Sequence, residues 1–278
     1  MKELQLVECP RDAMQGVEAF IDTEKKAAYI NQLLKCDFHT IDFGSFVSPK
    51  AIPQMRDTAE VVELLDLGIS NTGLLAIVAN KRGAMDVMQF GEIEYLGYPF
   101  SISETFQQRN ANSTIAESLQ RVDEIQRLCI KNKRKLVVYI SMAFGNPYGE
   151  QWNPDIVIQW TNELSRRGIN IVALSDTVGV SNPDSITQLF TNLIPEFPKM
   201  TIGAHLHTTP ETWKEKVEAA WNAGCRRFDG ALKGYGGCPM AEDKLTGNMP
   251  TEKLISFLEE KGVETGIRKA EFAKALDA

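Results

Sequence analysis

The sequence predicts an α/β fold, a TIM (β/α)8 barrel with additional C-terminal helices, and three observations point to it. Eight short apolar or β-branched runs alternate with longer stretches of helical periodicity. Parallel strands need crossovers and bury both faces, so a set of that size closes naturally into a barrel. No GxGxxG follows the first apolar run, which sets the open, doubly wound sheet behind the barrel. The chain has 278 residues, and α/β barrels run to roughly 250 residues as one unit, so residues 1–278 are read as one domain.

The elements follow in order. The first strand is expected at Leu4–Val7 and the first long helix at Thr23–Leu34. Strand His39–Phe43 precedes helix Thr58–Leu65, and strand Leu74–Ala79 precedes helix Arg82–Phe90. Strand Ile93–Tyr98 is followed by helix Thr114–Asn132, and strand Leu136–Ser141 by helix Asp155–Arg167. Strand Ile169–Ser175 leads to helix Asp184–Leu193, and strand Thr201–His205 to helix Glu211–Ala223. Arg227–Asp229 is the last strand, and helices Thr251–Lys261 and Ile267–Leu276 close the chain.

Bulk properties narrow the function. With 43% hydrophobic and 24% charged residues the composition is that of an ordinary globular enzyme. A net charge of −7 speaks against a nucleic-acid partner or a membrane surface, though a metal ion or a local Arg/Lys cluster can still hold an anionic substrate. The five cysteines are an odd number and form no CxxC, so free thiols in a reducing cytosol are expected. Neither a signal peptide nor an apolar run of roughly 18 residues is present, and a cytoplasmic location follows as the expectation.

In a barrel, chemistry collects at the C-terminal ends of the strands. There the sequence sets Arg11 and Asp12, then Asp42 and Ser45, Asn80, Ser101, Ser103 and Glu104. Ser141 and Asn146, Asp176 and Thr177, His205 and His207, and the loop Gly234-Tyr235-Gly236-Gly237-Cys238-Pro239 complete the rim. His205 and His207 stand at i and i+2, a spacing that on one strand turns both imidazoles to the same face, where they can share a metal ion. Two separate hydrogen-bonded histidines would leave the same pattern. The remaining histidine, His39, lies inside a strand and is read as structural. Asp12 and Asn248 add oxygen donors, giving a mixed O/N set suited to Mg2+, Mn2+ or another first-row divalent ion. The glycine loop can approach a ligand closely, or be a flexible turn carrying a passenger thiol.

Taken together, PRDAMQ at 10–15, SFVSPKAIPQM at 45–55, SETF at 103–106, SDTVG at 175–179, HLH at 205–207, GYGGCP at 234–239 and TGN at 246–248 resemble the DRE-TIM metallolyases. Within them the likeness is to the hydroxymethylglutaryl-CoA lyases. That resemblance implies an acyl-CoA substrate, retro-Claisen cleavage to acetyl-CoA and acetoacetate, and a homodimer or other homo-oligomer. It implies Asp12, His205, His207 and Asn248 as metal ligands and Arg11 as the group that polarises the thioester carbonyl. Asp176 and His205 would assist proton removal, and Cys238 would be the catalytic thiol. Gln15, Asp42, Ser45 and Lys50 would line the substrate pocket.

The sequence departs from the family pattern at four places. Ala13 stands where glycine is usual, and the approach Val7-Glu8-Cys9-Pro10 is one residue shorter. Asp42 replaces a longer glutamate, and Thr208-Thr209-Pro210 follows His207 where Asn or Asp and then glycine are more common. The alternatives are a related lyase, an aldolase acting on a 4-hydroxy-2-ketoacid, or an acyl-CoA condensing enzyme. A barrel that binds a metal or CoA derivative without turnover is the rival from another class.

Overall fold

The structure is a computed structural model that describes residues 3–237 and 246–278. In chain order its elements are β1 (Gln5–Glu8), α1 (Pro10–Gln15), α2 (Thr23–Leu34), β2 (Thr40–Ser45), α3 (Thr58–Glu63), β3 (Gly73–Ile77), α4 (Lys81–Val87) and β4 (Ile93–Ser101). Then come α5 (Glu104–Ala111), α6 (Ile115–Lys131), β5 (Lys135–Ser141), α7 (Pro154–Arg166), β6 (Ile171–Ser175), α8 (Pro183–Glu196) and β7 (Thr201–His205). The rest are β8 (His207–Thr208), α9 (Trp213–Asn222), β9 (Arg227–Gly230), β10 (Gly247–Asn248), α10 (Thr251–Glu260) and α11 (Lys269–Asp277). Strands β1 to β7 and β9 close a parallel barrel in chain order, with β9 pairing to both β7 and β1. Strands β8 and β10 form a separate antiparallel pair that sets Asn248 opposite His207.

Period-2 alternation divides the strand residues between two packing regions. Leu75, Ile77, Tyr95, Val137, Tyr139 and Ala173 pack together inside the barrel. Their neighbours Leu74, Ala76, Leu96, Val138, Ile140, Val172 and Leu174 face outward into the layer shared with the helices. Each such Leu, Ile or Val contributes about 1.5–3 kcal/mol on full burial. Helix α6 shows how the outer layer is built. Ile115, Ser118, Val122, Ile125 and Cys129 recur at helical spacing on its buried face. Thr114 and Glu117 close a capping box at its start.

The eight expected strands are all present, most of them displaced by a residue or two. Two helices escape the sequence reading. Helix α1 has only six residues, opened by Pro10, which is too short for an apolar period to emerge. Helix α5 begins at the Ser103 cap, and its run ETFQQRNA carries almost no apolar stripe. The four described cysteines are free, and no described helix is long and apolar enough to cross a membrane.

Glu8, fully buried at the end of β1, accepts from the Leu232 amide at 2.9 Å and from the Thr251 hydroxyl at 2.6 Å. Burial pushes its carboxyl from the ordinary 4.5 up to about 8, against both hydrogen bonds and with help from Glu252. The folded chain therefore keeps a proton that the unfolded chain sheds near 4.5. This contribution to stability is complete below that pH and is lost as pH rises through about 8. The expected slope is at most about 1.4 kcal/mol per pH unit. Glu8→Gln should flatten it, as read by urea unfolding of both chains at pH 6 and pH 9; parallel slopes would refute the assignment.

Candidate active site

The upper rim of the barrel gathers Arg11, Asp12, Gln15, Tyr139, Ser141, Ser175, Thr177, His205, His207 and Gly237 around a cavity of about 360 Å3. Helix α1 supplies the first three of these. One helical turn separates Arg11 from Gln15, so Arg11 Nη1 donates to Gln15 Oε1 at 2.9 Å and to Asp12 Oδ1 at 2.9 Å. Gln15 Nε2 also donates to Asp12 Oδ1, at 2.7 Å. The other edge of the guanidinium is held by Asp42, which accepts from Nε at 3.1 Å and from Nη2. A planar fork clamped on both edges has one orientation. Burial opposes the Arg11 charge, but Asp42 and Asp12 outweigh it and hold the guanidinium firmly protonated.

His205 ends β7, and His207 stands in β8, beyond a break in the strand at Leu206. The two imidazoles therefore stand on two strand pairings, the barrel and the β8–β10 pair, and not on one continuous strand. They still converge, with ring centroids 5.5 Å apart. His205 Nδ1 lies 3.2 Å from Asp229 Oδ2, and His207 Nδ1 lies 3.1 Å from the Thr177 carbonyl. Both partners can only accept, so each Nδ1 carries the hydrogen, and Nε2 is the atom that each ring, when neutral, offers to an ion. His205 Nε2 faces Asp12 Oδ2 at 3.8 Å.

Asp12, His205 and His207 offer ligand atoms all within 4.8 Å of one another. One carboxylate and two imidazoles with free Nε2 atoms are a donor set that a divalent cation fits. Electrostatics agree with that fit. Burial works to raise the Asp12 pKa, yet Arg11, His205 and His207 overcome it and hold the carboxyl at about 2. Burial, reinforced by His205, lowers His207 to about 4, so its ring is neutral near pH 7. His205 moves the other way: burial lowers it, but the hydrogen bond and charge of Asp229, with Asp12, raise it on balance.

Asn248 lies beside Asp12, its amide nitrogen anchored on the Tyr235 carbonyl at 2.8 Å. Gly236 permits that approach. Its φ is +88°, and a Cβ there would stand 2.5 Å from Asp12 O and 2.8 Å from Asn248 Nδ2.

Other expected site residues lie elsewhere. Asp42 grips Arg11 and does not line the cavity. The Ser45 hydroxyl accepts from the Val47 amide, and Lys50 is exposed on the following turn. Asp176 is buried against Ser181 and Lys216, outside the cavity lining. Asn80 and Ser103 cap α4 and α5, and Asn146 closes its own loop by accepting from the Tyr148 and Glu150 amides. His39 precedes β2 at the opposite end of the barrel, 2.8 Å from the Thr40 hydroxyl. Cys238 lies outside the described residues.

Three charged residues behind the cavity were not singled out from the sequence. Asp229 holds His205 and is itself paired with Arg227 at 2.7 Å. Gly203 makes room for that arginine, since a Cβ there would come within 2.8 Å of Arg227 Nη1. The third is Lys216. A signal for the first two was present: an arginine and an aspartate at i and i+2 in a barrel strand must share one buried face.

Comparison with known proteins agrees with this architecture. The model of the HMGL-like family matches residues 4–278. The hydroxymethylglutaryl-CoA lyase of Bacillus subtilis (strain 168) is 33% identical over 259 residues, covering 93% of this chain and 86% of the relative. A crystal structure of a Bacillus subtilis HMG-CoA lyase superposes with a TM-score of 0.92 at 30% identity, covering 100% of this chain and 92% of the other. An HMG-CoA lyase from Acinetobacter baumannii, solved with coenzyme A and 3-methylmalate, gives a TM-score of 0.90 at 30% identity, covering 99% and 89%.

Proposed function

The chain belongs to the HMGL-like family, and from that premise we propose that it is a carbon–carbon lyase cleaving 3-hydroxy-3-methylglutaryl-CoA to acetyl-CoA and acetoacetate. The observation that carries this reading is the meeting of Asp12, His205 and His207 with the clamped Arg11 on one cavity. Asp12, His205, His207 and the carboxamide oxygen of Asn248 would hold Mg2+ or Mn2+. When bound, the ion supplies Lewis acidity toward the 3-hydroxyl and carboxylate oxygens of the substrate.

The chain's own residues do the rest. Of the two groups expected to take the hydroxyl proton, His205 lines the cavity and Asp176 does not. The geometry favours His205, whose Nε2, its one basic site, would exchange the ion for the proton while Nδ1–H stays on Asp229, which balances the charge gained. Asp12, His207 and Asn248 would remain as ligands whose protonation does not change. As the hydroxyl becomes a ketone, the C2–C3 bond breaks and its electron pair moves toward the thioester carbonyl. Arg11 Nη2 keeps one N–H beyond its bond to Asp42, and we assign that fixed donor to the developing enolate. Cys238 follows Gly236, which stands against Asp12, and Gly237, which lines the cavity, and we assign its thiol the return of a proton to C2.

A larger cavity of about 840 Å3, lined by Ala13, Met14, Lys25, Lys233, Gly236 and Gly237, adjoins the first at Gly237. Its size and its two surface lysines suit the pantetheine arm and phosphates of CoA, the molecule bound by the Acinetobacter baumannii relative. Run in D2O with Mg2+, the reaction is expected to yield acetyl-CoA with a single deuterium in its methyl group, read by mass spectrometry. Recovery of the intact substrate from metal-loaded protein would overturn the assignment.

A further inference from the structure

Lys216 is buried in α9, and its ammonium has three acceptors: Asp176 Oδ2 at 2.8 Å, the His207 carbonyl at 2.8 Å and the Gly179 carbonyl at 3.1 Å. An ammonium carries three hydrogens, and these acceptors use them all. They come from two segments of the rim, the loop after β6 and the short strand β8. The same loop supplies the Thr177 carbonyl that receives His207 Nδ1. Both the main chain and the ring of His207 are therefore referred to one loop, and Lys216 is the tie between them.

One backbone bond also joins the two segments, Asp176 N–H donating to the His205 carbonyl at 3.0 Å, but it holds His205, on the far side of the break at Leu206, and not the main chain of His207. Strand β8 has two residues and pairs with a strand of two, so its ladder is weak. Beside it lies a cavity of about 470 Å3 bordered by Gly179, Ser181, His207, Thr208 and Lys216, so part of the boundary between loop and strand is open. Thr208, the residue after His207, turns its hydroxyl to the Asn248 carbonyl and so does not brace the loop after β6.

We propose that Lys216 is a positioning residue that fixes His207 for metal binding. Asp176 serves as its buried counter-ion, held away from the reacting groups. The proposal rests on reading His207 as a metal ligand. Its test is Mn2+ binding by the full chain, followed by EPR of the free ion, with thermal unfolding measured in parallel.

Lys216→Met should weaken Mn2+ binding about 10- to 100-fold, the usual effect of losing a partner that orients a ligand. It should also lower the melting temperature, because Asp176 is left buried and unpaired. Adding Asp176→Asn to Lys216→Met should restore much of the stability and none of the Mn2+ affinity. The double variant carries the test if the single one does not fold. Wild-type Mn2+ affinity in a folded Lys216→Met chain would overturn the proposal. So would recovery of both properties in the double variant, which would reduce Lys216 to charge neutralisation. His207→Gln is the reference: if it binds Mn2+ as tightly as wild type, the ligand assignment itself has failed, and that failure is seen separately.

Discussion

Arg11→Lys is expected to lower kcat on 3-hydroxy-3-methylglutaryl-CoA about 10²- to 10³-fold, the scale of losing one preorganised donor to a developing oxyanion. The charge survives this substitution, but the fork does not. Arg11 uses Nε and Nη2 on Asp42 and Nη1 on Asp12 and Gln15, two edges that a single ammonium cannot reproduce. Asp42 would keep a cation nearby, so the chain should still fold. KM should change little, because the interaction grows as charge moves onto the thioester oxygen. Steady-state kinetics on protein of verified Mn2+ content separates this from a metal-binding defect. A loss confined to KM would remove Arg11 from the step.

Asp12→Asn and His207→Gln should each reduce Mn2+ affinity by more than about 100-fold, since loss of an outer partner alone typically costs 10- to 100-fold. Asp12 is the only carboxylate of its three-residue group and is held ionised at about pKa 2. His207 is lowered to about 4 and is neutral at pH 7, so it need not release a proton to bind. Asp229→Asn should have a smaller effect, within the 10- to 100-fold range, because it loosens His205 without removing a ligand. Equilibrium dialysis against Mn2+ ranks the three variants. An Asp229→Asn chain weaker than Asp12→Asn would reverse the assignment of ligand and supporter.

The barrel was legible because parallel strands buried on both faces read as near-continuous apolar runs. Leu136 to Ser141 is one such run, and the structure spans Lys135–Ser141. Elements that carry the chemistry were harder to see. Helix α1 is too short for periodicity, although it explains why Arg11, Asp12 and Gln15 act as a group. The HxH motif was visible, but the break at Leu206 and the pairing of His207 opposite Asn248 depend on a segment about forty residues downstream. Asp229, Arg227 and Lys216 sat in segments whose periodicity marked them only as strand and helix. Their partners lie on other elements: Asp229 meets His205 across 24 residues of chain, and Lys216 meets Asp176 across 40. Motif reading finds groups that face the substrate, whereas contact between elements reveals the groups that hold them.

Metal dependence of bond cleavage tests the central claim most directly. The chain is stripped with EDTA, reconstituted stepwise with Mn2+, and assayed with 3-hydroxy-3-methylglutaryl-CoA for acetyl-CoA and acetoacetate together. The expected result is no cleavage by the stripped chain, then equal amounts of both products rising in proportion to bound Mn2+. Undiminished cleavage without metal, or none from a chain shown to hold Mn2+, would contradict it.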